Sequence, residues 1–111
     1  MNVYDTANKL AQELKTSTEY LDYKKIKEEL DRSPEVKAKI REFEEKRYSV
    51  QLEALKGEEQ EKSKLEEMQK IYIELMQDEL AKTYFEVELK FNVLIADVNK
   101  IIAESVQDVI K

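Results

Sequence analysis

One glycine and one proline punctuate this chain of 111 residues, and after Gly57 neither occurs again. Sheets need tight reversals between strands, and those reversals draw on glycine, proline and short polar residues. The scarcity bears most heavily on the one stretch that looks like a strand. From Phe85 to Phe91, Phe85, Val87, Leu89 and Phe91 alternate strictly with Glu86, Glu88 and Lys90, the pattern of a half-buried strand. No second alternating run exists to pair with it, and no turn brings the chain back. At helical spacing the same residues fall into stripes. Leu80, Tyr84, Val87, Phe91, Leu94, Ile95, Val98, Ile101 and Ile102 share one face, and Phe85, Leu89, Ala96 and Ala103, with Val93 nearby, share another. The segment 80–103 is therefore expected to be helical. With two apolar faces it is expected to be covered twice, once by the chain's own core and once by a second subunit.

The rest of the composition agrees. Charged residues make up 40% of the chain and fall in long Glu/Lys-rich runs at helical periodicity, which predicts an all-α fold. The reading is one domain, 1–111, of four to five helices in an array or bundle with long C-terminal helices. With no Cys and no His, disulfides, thiolate or imidazole metal sites and histidine acid–base chemistry are excluded. No Gly-rich phosphate loop or serine-based triad is present, and no catalytic, cofactor-binding or metal-binding residue is assigned. The first residues carry no signal-peptide pattern. Glu86, Glu88, Lys90, Asp97 and Lys100 break the apolar stretch too often for a membrane span. A soluble, cytoplasmic protein is expected.

In chain order, Val3, Ala7, Leu10, Ala11 and Leu14 define the face of a first helix, with Tyr4 close by and Asp5 as its expected cap. Thr16 and Glu19 form a capping-box pattern that predicts a second helix from Ser17 or Thr18 to Asp31-Arg32, with Tyr20, Tyr23, Ile26 and Leu30 on one face. Ser33-Pro34-Glu35 is the clearest helix start. Val36, Ile40, Phe43, Arg47, Val50 and Ala54 then form a heptad-like seam that Arg47 interrupts, its stem expected on apolar surface and its head in water. Gly57 suits the position just past that helix. Glu58 to Lys64 reads as a charged turn or helix start, followed by an amphipathic face of Leu65, Met68, Tyr72, Leu75 and Met76. The spacing changes at Gln77-Asp78-Glu79. A kink or short break there, with Asp78 capping a helix from Glu79, is favoured over one continuous helix of roughly 45 residues. Ser105 to Lys111 is expected to fray.

Charge is uneven. Residues 24–47 hold nine Lys/Arg against seven Asp/Glu, and residues 58–79 hold three against eight. That footprint and a net charge of −6 argue against direct nucleic-acid binding. Ordinary surface variation explains the imbalance most simply; complementary charge between subunits or toward a basic partner is the alternative. The acidic cluster Glu58, Glu59, Glu61, Glu66 and Glu67 reads as a solvated face, since helical di-metal sites add a His in a Glu-x-x-His pattern. The six tyrosines read as packing aromatics with wet hydroxyls. Asn92 and Asn99, seven apart, share a polar strip between the two apolar stripes, where a buried Asn would fix register and a solvated one would not. The candidate interface is Phe85, Leu89, Asn92, Val93 and Asn99.

Three segments carry a resemblance: VYDTANKLAQELKTSTEYLDYKK at the start, then SPEVKAKIREFEEKR, then LIADVNKII in the last helix. In this order and spacing they resemble the YheA-type branch of the YlbF/YmcA family of small bacterial, mainly Firmicute, proteins. The resemblance covers nearly the whole chain. It implies an all-helical array that self-associates. For the YlbF and YmcA relatives it implies a role with a third protein, YaaT, in competence, sporulation and biofilm formation, partly through RNase Y-dependent mRNA processing. The iron–sulfur clusters those relatives carry on cysteines do not transfer to a chain without cysteine. The leading expectation is a non-enzymatic homodimer that acts by protein binding. One alternative is an accessory factor of an RNA-processing complex, and another is a small enzyme using carboxylate, Lys or Tyr groups alone.

Overall fold

A computed structural model describes residues 2–59 and 61–110. The chain is all-α: α1 Val3–Lys15, α2 Thr18–Asp31, α3 Pro34–Leu55, α4 Lys62–Met76, α5 Glu79–Ser105 and a single last turn, α6 Gln107–Ile110. Residues 85–91 lie inside α5, so the alternating run is helical as expected.

Several helix boundaries have a local cause. Asn2, not Asp5, caps α1: its side chain accepts from the Tyr4 amide at 2.9 Å, leaving Asp5 within the first turn. Between α1 and α2 the cap is Ser17, not Thr16. Ser17 Oγ accepts from the Tyr20 amide at 3.2 Å and donates to the Leu14 carbonyl at 2.7 Å, so one hydroxyl serves both helix ends. Thr16 is occupied closing α1, donating from Oγ1 to the Gln12 and Glu13 carbonyls. Ser33 and Pro34 start α3 as the sequence predicts, although the Ser33 side chain makes no capping bond.

At the end of α3, Gly57 takes φ +73°. Its amide donates to the Ala54 carbonyl at 3.2 Å, and that of Glu58 to the Glu53 carbonyl at 2.9 Å. This is the paired closure that needs a left-handed residue. The chain breaks at Gln77-Asp78, as favoured: α4 ends at Met76, and Asp78 Oδ1 accepts from the Ala81 amide at 3.0 Å to start α5. Of the two stretches expected to be irregular, Gln60 and Lys111 lie outside the described residues. The remainder of the last stretch forms α6 after a step at Val106, where fraying was expected.

The chain divides into two compact units. Unit 1 comprises Met1–Ile26 and Tyr84–Lys111, and unit 2 comprises Lys27–Thr83.

Unit 2 is built on a hairpin of α3 and α4. Along α3, Lys39, Lys46 and Glu53 recur every seven residues, and they meet Glu74, Glu67 and Lys64 at 3.3, 2.9 and 2.5 Å. As one set of numbers rises the other falls, so the helices run antiparallel. The predicted seam buries Ile40, Phe43 and Val50, and on α4 Leu75 is 1% exposed. Two seam positions behave otherwise. Ala54 is exposed, and Arg47, its side chain still 43% exposed, sets its guanidinium over the Phe43 ring, 5.5 Å from the centroid. There it gains the attraction of a cation for a π-face.

Unit 1 sets the start of α2 against α5. Tyr23 packs on Phe91 and Tyr84, with ring centroids 5.3 and 6.0 Å apart, and Tyr20 reaches Phe91 at 6.2 Å. The pairings run in opposite senses along the two helices. Tyr84 is the one buried residue among those described in unit 1.

Candidate functional site

Helical periodicity sorts α5 into two faces, and the structure treats them differently. On the first, Val87, Phe91, Leu94, Ile95 and Val98 are half-buried, as expected for the face turned to the chain's own core. The same stripe fails at its C-terminal end, where Ile101 and Ile102 are 68% and 53% exposed. On the second face Leu89 and Val93 are 64% and 50% exposed, and Ala96 and Ala103 are exposed as well. Phe85 is half-buried, its ring edge-on to Tyr84 at 5.4 Å. Asn92 and Asn99 are solvent-exposed in the single chain. Beside them Glu88 accepts a 2.7 Å hydrogen bond from the Tyr84 hydroxyl, which satisfies the polar end of the most buried aromatic.

The five candidate residues thus lie along one side of α5, with Leu89 and Val93 as its apolar centre. On that side Leu89 and Val93 also line a groove of about 660 Å³, walled by Thr18, Glu19 and Asp22 of α2 and by Val87, Leu89, Lys90, Val93, Leu94 and Asp97 of α5, while Phe85, Asn92 and Asn99 lie outside its lining. The groove lies wholly within unit 1. Its lining is apolar side chain bordered by three carboxylates and one ammonium, with none of the converging polar groups that fix a small substrate.

More exposed apolar surface flanks it than the sequence suggested. The helix α1 is amphipathic yet buries none of its residues, and Val3 and Tyr4 are 81% and 79% exposed. Val109 and Ile110 of α6 add 80% and 69%. The apolar face of α1 was legible in its spacing. That only Leu10 and Leu14 of it become half-buried was not, because periodicity states which face seeks cover and not how much cover is present.

The charge asymmetry of the sequence has a local destination. Lys39 and Lys46 of the basic segment pair with Glu74 and Glu67 of the acidic one inside the hairpin. The Lys46 ammonium, hydrogen-bonded to Glu67, holds that carboxyl below its ordinary range and is itself raised. Lys64 is raised by its hydrogen bond to Glu53, and Asp31 is lowered by its bond to Lys37. Among the described residues no three carboxylates converge as a metal site requires. No helix among them is long and apolar enough to cross a membrane.

Comparison with known proteins gives this arrangement a context. A family model described as control of competence regulator ComK, YlbF/YmcA, matches residues 3–107. Similar relatives include a UPF0342 protein of Caldicellulosiruptor bescii, 34% identical over 106 residues, covering 96% of this chain and 89% of its own. One from Desulfitobacterium hafniense is 34% identical over 110 residues, covering 99% and 89%. One from Symbiobacterium thermophilum is 33% identical over 104 residues, covering 94% and 93%. The family match begins in α1 and ends in α6, so its range takes in both units. The chain belongs to the YlbF/YmcA family.

Proposed function

We propose that this protein works in the cytoplasm by binding other proteins, without catalysis, and that one of its partners is a second copy of itself. The observation that carries this reading is the imbalance of unit 1, where among the described residues only Tyr84 is buried while Leu89 and Val93 stand in an open apolar groove. Ordering a residue costs about 1–2 kcal/mol of backbone entropy, and small units offset that only by burying a large share of their surface. A patch of this kind on a small protein is characteristic of an interaction surface. The family description, control of a competence regulator, supports a regulatory role exercised through complexes. Its finer form is an accessory factor of an RNA-processing assembly.

Light scattering tests the reading. The expected mass is twice the 13.2 kDa of the chain. Leu89→Asp should move it toward monomer while leaving the helical circular-dichroism signal intact, because Leu89 is exposed and supports no internal packing. A monomer across micromolar concentrations for the unmutated protein would overturn the self-association.

A further inference from the structure

The charges on α5 indicate how a second copy would bind. Helical spacing places Glu86, Lys90, Val93, Asp97 and Lys100 within about 80° of one another around the helix, and all five are exposed. Val93 is the middle of this stripe, with Leu89 and Ala96 beside it. Going outward from Val93, Lys90 lies three residues before it and Asp97 four after, while Glu86 and Lys100 lie seven to either side. The stripe therefore reads acid, base, Val93, acid, base.

Set against an identical helix running the opposite way about Val93, this order places Lys90 opposite Asp97 and Glu86 opposite Lys100. Both pairings join opposite charges, and a twofold axis makes each of them twice. In a parallel, in-register pair every charge would meet its own kind. Among the described residues Glu86, Lys90 and Asp97 have no ion-pair partner within the chain. Lys100 has only a long contact of 3.9 Å to the exposed Glu104.

We infer that two copies associate through antiparallel packing of α5 on α5, with a twofold axis beside Val93. Leu89, Val93 and Ala96 form the apolar centre, and Glu86–Lys100 and Lys90–Asp97 pairs form the flanks. This rests on the self-association proposed above and specifies its geometry. The groove between α2 and α5 is where the other copy's helix lies, each copy seating in the other's groove. Self-complementary charge sets orientation and register, while the apolar centre gives most of the affinity.

The absence of cysteine makes the test clean, because any introduced thiol is the only one. Val93→Cys puts one thiol beside the axis, next to its own counterpart. Ser105→Cys puts it about 18 Å along the helix from the axis, and so about twice that from its counterpart. Disulfides need α-carbons within about 7 Å. Mild oxidation is expected to give a covalent dimer with Val93→Cys and none with Ser105→Cys. A second measurement uses charge. Lys90→Glu should weaken the dimer by about tenfold or more, and adding Asp97→Lys should restore it, because the reversed pair regains opposite signs.

Two outcomes would overturn the geometry. One is a dimer by mass in which Val93→Cys does not cross-link. The other is a Lys90→Glu defect that Asp97→Lys deepens. Either leaves self-association standing through another surface. A monomer throughout would remove both.

Discussion

At the scale of single residues, the helix ends of this protein are settled by which carbonyls and amides lack partners. Gly57 illustrates the backbone side of this. A β-carbon added there would meet no atom within 4 Å, so its φ of +73° and not crowding demands glycine. Gly57→Ala is expected to lower stability by roughly 1–2 kcal/mol, read from urea unfolding followed by circular dichroism. An unchanged midpoint would mean that the turn relaxes. Ser17 illustrates the side-chain side. Ser17→Ala should cost about 1 kcal/mol and Thr16→Ala less, since the Thr16 hydroxyl only adds to carbonyls closing α1. The sequence pattern pointed to the other residue. Two adjacent hydroxyls both suit a cap, and the Tyr20 amide goes to Ser17 while the Thr16 hydroxyl bonds back into α1. At the start of α1 the cap is Asn2, and Asp5 lies within the first turn. Pro34, Gly57 and Asp78 were legible because each has one conformational use at a helix end.

At the scale of elements, the α3–α4 hairpin combines a small apolar seam with a row of ion pairs. Leu75→Ala should cost about 2–5 kcal/mol, because the side chain is 1% exposed. The more exposed ion pairs, such as Lys39–Glu74, contribute far less each, since their groups stay in contact with water. Their pH dependence has a definite sign. Asp31 and Glu67 are lowered by their lysines, so the stability they add is present above the ordinary carboxylate values of 3.8 and 4.5 and is lost as pH falls through the lowered values. Lys46 and Lys64 are raised, so their part is full below the ordinary 10.5 and is lost as pH rises through the raised values. Thermal melts should therefore show a plateau between about pH 5 and pH 10, with shoulders at both ends that flatten in 1 M salt. Shoulders that persist in salt would assign the effect elsewhere. The sequence showed that the two segments differ in charge. It did not show that Lys39 and Lys46 meet Glu74 and Glu67 within one hairpin, because pairing every seven residues across two helices depends on a register that only the fold sets.

At the scale of the whole molecule, the two units differ in how much they bury. Among the described residues unit 2 encloses Leu30, Ile40, Phe43, Val50, Leu75 and Ala81, whereas unit 1 encloses Tyr84. Amide hydrogen exchange should therefore be slower in α3 and α4 than in α1, and protection of α5 should rise with protein concentration. Uniform protection independent of concentration would contradict a second copy as the missing cover. The all-α class and the outer stripe of α5 were readable from periodicity and the lack of turns. The near-absence of a closed core in unit 1 was not, since an apolar face looks the same in sequence whether its cover is internal or borrowed. A unit whose cover is borrowed is held together by mass action. On the self-association proposed above, the outer face of α5 would lie open to proteases when little of the protein has been made, and copies would shelter one another as its abundance rises, lengthening lifetime. Output would then respond to synthesis more steeply than in proportion, a threshold set by the dissociation constant of α5, with no effector required.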